Sequence, residues 1–137
     1  MRCRRTPALG FTLVECLVAC ALVAVLLSLG VPTWRGADLR AGRIDAVEAL
    51  TRVQQAQEQF RSAHGLYAAD MAALLGAAPR STQGRYAITL AVEGPEAYRA
   101  TAQALGPQAG DAACATLTLQ VRTGFAQTGP DPSCWLR

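Results

Sequence analysis

Residues 16–31 form one uninterrupted apolar run, and Glu15 stands at its N-terminal edge. No other feature limits the fold as strongly. With its flanks the run is long enough to cross a bilayer, since a membrane helix needs about 20 apolar residues for a ~30 Å core. A carboxylate within such a segment costs roughly 2.5–3.5 kcal/mol at mid-helix, so Glu15 is expected to have a partner or a task. Arg2, Arg4 and Arg5 precede the run. The chain has thirteen arginines and no lysine, and beyond residue 10 ten arginines face ten acids. The net charge of +3 is therefore an orientation signal that keeps the N-terminus cytoplasmic and the C-terminal part outside, in the periplasm. It is not a nucleic-acid patch.

A secretory signal is cut after its apolar region, at small residues. Here no such site follows the run, and the polar-to-apolar boundary falls between Gly10 and Phe11. Residues 1–10 read as a leader and residues 11–34 as a retained span. A lipoprotein reading of Leu17-Val18-Ala19-Cys20 is weaker. Glu15 interrupts its apolar part, and the run continues past Cys20 where a polar tether belongs. Gly30 and Pro32 predict a kink or soft point, because proline removes one helical hydrogen bond and crowds the preceding turn. The alternative is that Pro32 ends the span, with Trp34 and Arg35 as an interfacial anchor.

Residues 35–137 read as one small globular domain. Ala46, Leu50, Val53, Ala56 or Gln57, Phe60 and Ala63 recur at three- and four-residue steps, predicting an amphipathic helix over 38–63 that Gly65 stops. A connecting loop follows, with a helical turn near 70–75 and Tyr67, Leu74 and Leu75 as pins to the core. Residues 85–92, 97–102 and 116–121 alternate like strands, and 125–127 is a candidate fourth. The fold class expected is α+β: a long N-terminal helix, membrane-spanning in its first half and amphipathic in its second, packed on a small antiparallel sheet of 3–4 strands.

The five cysteines separate by position. Cys3 lies in the leader, and Cys16 and Cys20 read as small packing residues of the span. Cys114 and Cys134 fall on the oxidising side, and a disulfide is expected there, closing a loop of about 20 residues worth roughly 3 kcal/mol in the chain-entropy model. Two buried free thiols are the alternative. No enzyme site emerges. His64 is the only histidine, which excludes triads and paired-histidine metal sites apart from it, and its place at a helix end suits a structural cation. Asp70, Glu93, Glu96, Asp111 and Asp131 lack metal-site spacing. No catalytic residue, metal or cofactor is expected.

Gly10-Phe11-Thr12-Leu13-Val14-Glu15 before an apolar helix resembles the prepilin motif of the type IV pilin family. Pro32 falls where many pilins carry a helix-breaking proline. Asp111-Ala112-Ala113-Cys114, Leu117-Thr118-Leu119 and the closing Cys134-Trp135 resemble minor pilins of the PilE-like kind. The resemblance implies a pilin fold, cleavage after Gly10 by a membrane prepilin peptidase and N-methylation of Phe11. It also implies that Glu15 meets the Phe11 amine of a neighbouring subunit and sets axial register. The sequence departs from the family pattern at Leu9, where Lys or Arg is usual. It also lacks the second proline of many major pilins, with Arg52 in that region.

The function implied is that of a minor pilin, a structural subunit of a type IV pilus serving assembly, twitching motility and adhesion. Its partners would be other pilin subunits, the peptidase, and the inner membrane before export into the fibre. One rival is a type II secretion pseudopilin, which the Cys114–Cys134 loop disfavours. Another is a DNA-uptake pilin, supported only by Arg122 and Arg137 near the disulfide, with Trp135 more suited to covering the disulfide than to binding a base.

Overall fold

The computed structural model describes residues 12–76 and 79–135, with residues 30–33 described in backbone only. The chain divides after Gly36 into two compact units. Helix α1 (Leu13–His64) contributes to both. Its assignment runs without interruption across Gly30 and Pro32.

Between Cys16 and Leu29 α1 carries no charge on any side, and the large apolar side chains from Leu13 to Leu29 are exposed, from Val18 and Val23 at 54% to Leu13 at 76%. An 18-residue window of α1 reaches a mean hydropathy of 2.5, long and apolar enough to cross a membrane. A helix apolar all round is made for an apolar surrounding, not for one side of a soluble core.

From residue 37 onward α1 has two faces. Ala46, Ala49, Leu50 and Val53 are sealed against a sheet, while Arg40, Glu48, Thr51 and Gln55 are exposed. The expected stripe is shifted at its end. Phe60 is only half-buried and Ala63 is exposed, whereas the polar Asp45 and Gln57 are buried. The helix ends at Gly65 in the left-handed region (φ 75°), with its N–H donating to the Arg61 carbonyl at 2.8 Å. Glycine adopts that conformation without the Cβ penalty.

Helix α2 (Met71–Leu75) is capped by Asp70, whose carboxylate accepts from the Ala72 N–H. Tyr67 and Leu74 pack inward as expected, but Leu75 is exposed. Four strands follow: β1 (Tyr86–Gly94), β2 (Ala97–Ala104), β3 (Thr116–Arg122) and β4 (Phe125–Gly129). They pair antiparallel in the order β1-β2-β3-β4. The candidate fourth strand is thus present, hairpinned onto β3. Tyr86, Ile88, Ala100, Ala102, Leu117 and Leu119 face α1 and build the core with Cys114, Cys134 and Trp135. Small alanines on β2 let the helix approach closely, and Tyr86 and Leu50 fill the volume between.

Polar ties fasten the loops to this helix. Gln57 donates from Nε2 to the Ala68 carbonyl (2.8 Å) and accepts the Ala68 N–H at Oε1 (2.9 Å), in full burial. Asp45 accepts the backbone N–H groups of Gln83 (3.0 Å) and Arg85 (3.4 Å). At Gly42 a Cβ would lie 2.0 Å from Gln108 Oε1. The missing side chain lets Gln108 cross the helix and donate to the Leu39 carbonyl at 2.9 Å.

Gln57→Leu keeps volume and removes both partners of Ala68. Each stranded buried group costs about 1–3 kcal/mol. Urea unfolding should show a loss of about 2–5 kcal/mol; a loss below about 0.5 kcal/mol would mean the Ala68 turn finds other partners.

Candidate functional site

Two regions carry candidate function: the N-terminal start of α1 and the surface of the C-terminal unit. At the start of α1, Thr12 precedes the first helical residue. Its Oγ1 accepts the Glu15 N–H at 3.3 Å, and its carbonyl accepts the Cys16 N–H at 3.2 Å. Thr12-Leu13-Val14-Glu15 is thus the spacing of a capping box, threonine at the cap and glutamate three residues on. Glu15 is exposed in the first turn, where a carboxylate also favours the helix dipole. Gly10 and Phe11, the expected cleavage and methylation positions, lie outside the described residues. Cys16 and Cys20 are exposed free thiols one turn apart.

In the C-terminal unit, Cys114 and Cys134 are bonded, 20 residues apart, with Cα atoms 5.5 Å from one another. The tail they hold is tied further. Trp135 is buried, and its Nε1 donates to the Gly129 carbonyl at 2.9 Å. Trp135 therefore sits in the same buried cluster as the two cysteines and closes β4, and it offers no ring to a ligand. Arg43 from α1 grips Asp111 with two hydrogen bonds, 2.7 and 2.9 Å, and donates to the Ser133 carbonyl at 3.3 Å. The hydrogen bond to Asp111 holds the Arg43 guanidinium above its ordinary pKa, against the opposing effect of burial. One side chain thus joins helix, β2–β3 connection and tail. Asp131 hydrogen-bonds Ser133, which holds its carboxyl below the usual range.

The remaining arginines sort by partner. Arg99 and Arg122 share Glu93 at 2.9 and 3.1 Å, Arg85 faces Asp38 at 3.5 Å, and Arg61 reaches Glu96 at 3.9 Å. Hydrogen bonds from Gln120 and Arg122 hold the Glu93 carboxyl below its ordinary pKa. Among the described residues Arg35, Arg40, Arg52 and Arg80 have no carboxylate partner; of these, Arg52 and Arg80 lie together. Arg52 donates to the Thr82 hydroxyl. Both line a shallow groove of about 120 Å³ with Ala49, Val53, Met71, Leu75 and Ile88. Sequence reasoning pointed instead to Arg122 and Arg137; Arg122 is held by Glu93, and Arg137 lies outside the described residues. It also passed over Phe125, which is 77% exposed at the head of β4. Its place next to Gly124, after an alternating strand, was the available signal. His64 stacks on Phe60 at 4.1 Å, with Nδ1 3.0 Å from the Phe60 carbonyl, an arrangement that ends a helix.

A helix apolar at its start and one-faced further along, set on an antiparallel sheet with a disulfide-closed tail, is the architecture of a pilin. Residues 32–118 match the family model described as type IV minor pilin ComP, DNA uptake sequence receptor. Residues 6–31 match the model of the prokaryotic N-terminal methylation motif. No curated protein matches the chain. The first match spans well over half of the 137 residues, and the chain belongs to this family of type IV minor pilins. Pilin families are structural, and association with other pilins in a pilus follows from membership.

Asp111→Asn keeps shape and removes the charge that Arg43 faces. Side chains at 14% and 8% exposure leave little water to compensate, so a loss of about 2–4 kcal/mol is expected in chemical unfolding. An unchanged midpoint would show that the pair contributes nothing to closing the tail.

Proposed function

We propose that this minor pilin is the DNA-capturing subunit of a type IV pilus. The observation that carries the reading is the match of residues 32–118 to a family described as a DNA uptake sequence receptor. The arginine groove supports it. A phosphodiester needs cations not already neutralised by carboxylates, and Arg52 and Arg80 are such a pair, with Arg52 held by a hydrogen bond to the Thr82 hydroxyl. Guanidinium groups suit phosphate because they bind it through two parallel hydrogen bonds. Since acids and arginines balance beyond residue 10, capture rests on this local pair and not on the overall field of the protein.

The same proposal gives the N-terminus its task. Cleavage after Gly10 by the prepilin peptidase leaves an amine at Phe11, which is then methylated. Glu15 pairs with the Phe11 amine of a neighbouring subunit. In an apolar bundle a lone carboxylate and a lone ammonium are each unfavourable, and joining them relieves both. Residues 11–34 act first as a single-pass inner-membrane anchor with the C-terminal unit periplasmic, then as part of the fibre core. Leucine, valine and alanine suit both surroundings because both are apolar. Gly30 and Pro32 soften the helix as the subunit leaves the bilayer. The disulfide-closed tail and the family match favour a pilus over a secretion pseudopilus.

Glu15→Ala should leave membrane insertion intact and abolish recovery of the protein in sheared pili. Wild-type recovery would remove the pairing, and a mature chain beginning at any residue other than Phe11 by mass spectrometry would remove the processing.

DNA binding is tested on the full-length protein in detergent micelles by fluorescence anisotropy with duplex DNA. Arg52→Ala with Arg80→Ala should weaken binding and reduce the slope of log K against log salt by about 2, roughly one for each phosphate that is no longer neutralised. No binding by the wild type at low salt would end the DNA reading and leave the minor pilin.

A further inference from the structure

The outer face of the sheet is uncovered, and one corner of it is built unlike the rest. Residues directly opposite on paired strands share a face. Since Leu117, Leu119 and Val121 point to the core, Thr118, Gln120 and Arg122 point outward. Register places Phe125 opposite Arg122, Gln127 opposite Gln120, and Gln120 opposite Arg99. An exposed aromatic ring, two amides and two guanidinium groups therefore meet at one end of the face.

The corner is preorganised. Glu93 accepts from Arg99 Nε (2.9 Å), Gln120 Nε2 (2.7 Å) and Arg122 Nη2 (3.1 Å). These bonds hold three long side chains in fixed positions and leave the Gln120 carbonyl and other guanidinium N–H groups facing solvent. The Gln127 amide makes no hydrogen bond among the described residues. The turn that sets Phe125 across from Arg122 is strained. Thr123 has φ 47° and Gly124 φ 83°, the pair of positive angles that a two-residue hairpin requires. Asparagine or glycine is favoured at the first position, and a β-branched residue there is an outlier. The Thr123 N–H donates to the Glu96 carbonyl at 2.9 Å and holds the turn. Strained backbone of this kind gathers at ligand clamps.

The chemistry selects the ligand. A polyanion would meet the Glu93 carboxylate between the two arginines. Next along the face it would meet the uncharged row of Thr118, Thr101 and Thr89. A protein partner needs an apolar centre around its aromatic anchor, and Phe125 has only polar neighbours on this face. A pyranose ring fits both parts. Its C–H face lies on an aromatic ring, and its hydroxyls both donate and accept, as amides and guanidinium groups require. We propose that Phe125, Arg122, Gln120 and Gln127, held by Glu93, form a binding site for neutral glycan chains. An extended chain would continue over the threonine row. The site is separate from the arginine groove and stands whether or not that groove takes DNA.

The full-length protein, in a detergent without a sugar headgroup, is tested for retention on insoluble cellulose and on immobilised dextran. Retention on at least one is expected, unchanged between about 50 and 200 mM salt, a range in which phosphate-driven binding collapses. Phe125→Ala should weaken retention about tenfold or more with unaltered thermal unfolding, and Phe125→Tyr should restore it. Arg52→Ala with Arg80→Ala should leave it unchanged, which separates this site from the DNA reading. Three results would overturn the proposal: retention on neither matrix, equal retention by Phe125→Ala, or Phe125-dependent binding shown only to single-stranded DNA and lost at the higher salt. The last would assign the corner to nucleic acid.

Discussion

One helix has to satisfy two kinds of surroundings, and the other features of the protein follow from that. Between Leu13 and Leu29 its large apolar side chains are all exposed, from 54 to 76%. None of the described residues covers them. Burying one leucine or valine side chain is worth about 1.5–3 kcal/mol, so such a surface persists only where lipid or neighbouring helices take the place of water. Beyond residue 37 the same helix buries Ala46, Ala49, Leu50 and Val53 and turns charges outward. Glycine at 36 marks the division between the two units.

A small unit with one helix face and one sheet face has little apolar area to draw on. Buried polar ties and one covalent bond make up for this. Gln57 and Asp45 satisfy backbone groups of loops that have no secondary structure of their own, and Gln108 reaches back from the β2–β3 connection to the Leu39 carbonyl of α1. Buried backbone groups without partners are rare because each is costly, so these side chains decide where the loops lie. Arg43–Asp111 and Cys114–Cys134 act on the same tail from different elements. The tail in turn places Trp135 on the last carbonyl of β4, which ends the sheet at that edge.

Much of this was legible in the residues because it follows from periodicity. The apolar run, the amphipathic stripe through Ala46, Leu50 and Val53, the stop at Gly65 and the alternating strands each state their local environment directly. The disulfide was legible from the expected topology, which put only Cys114 and Cys134 on an oxidising side. What failed was long-range and polar. Phe60 and Ala63 continue the stripe on a helical wheel, yet Phe60 stacks on His64 and Ala63 is exposed, and Gln57 is buried where it pairs with the Ala68 turn. No periodicity encodes that pairing across eleven residues. The arginines were misjudged for a similar reason. Arg122 looks available in sequence and is held by Glu93, 29 positions away. Arg52, set among helix residues, is one of four described arginines without a carboxylate partner.

That sorting of arginines also explains how a chain with balanced charge can present surfaces of different chemistry. A guanidinium beside a carboxylate keeps its hydrogen-bond geometry but loses most of its long-range field, while an unpaired one keeps both. Glu93 offsets one of the two charges of Arg99 and Arg122 and orients both as donors, and the exposed ring of Phe125 supplies the apolar contact beside them. Arg52 and Arg80 have no such neighbour, and their field reaches about a Debye length, some 8–10 Å at ordinary salt. The distribution of ten acids, more than the number of arginines, thus separates a surface suited to a polyanion from one suited to a neutral ligand.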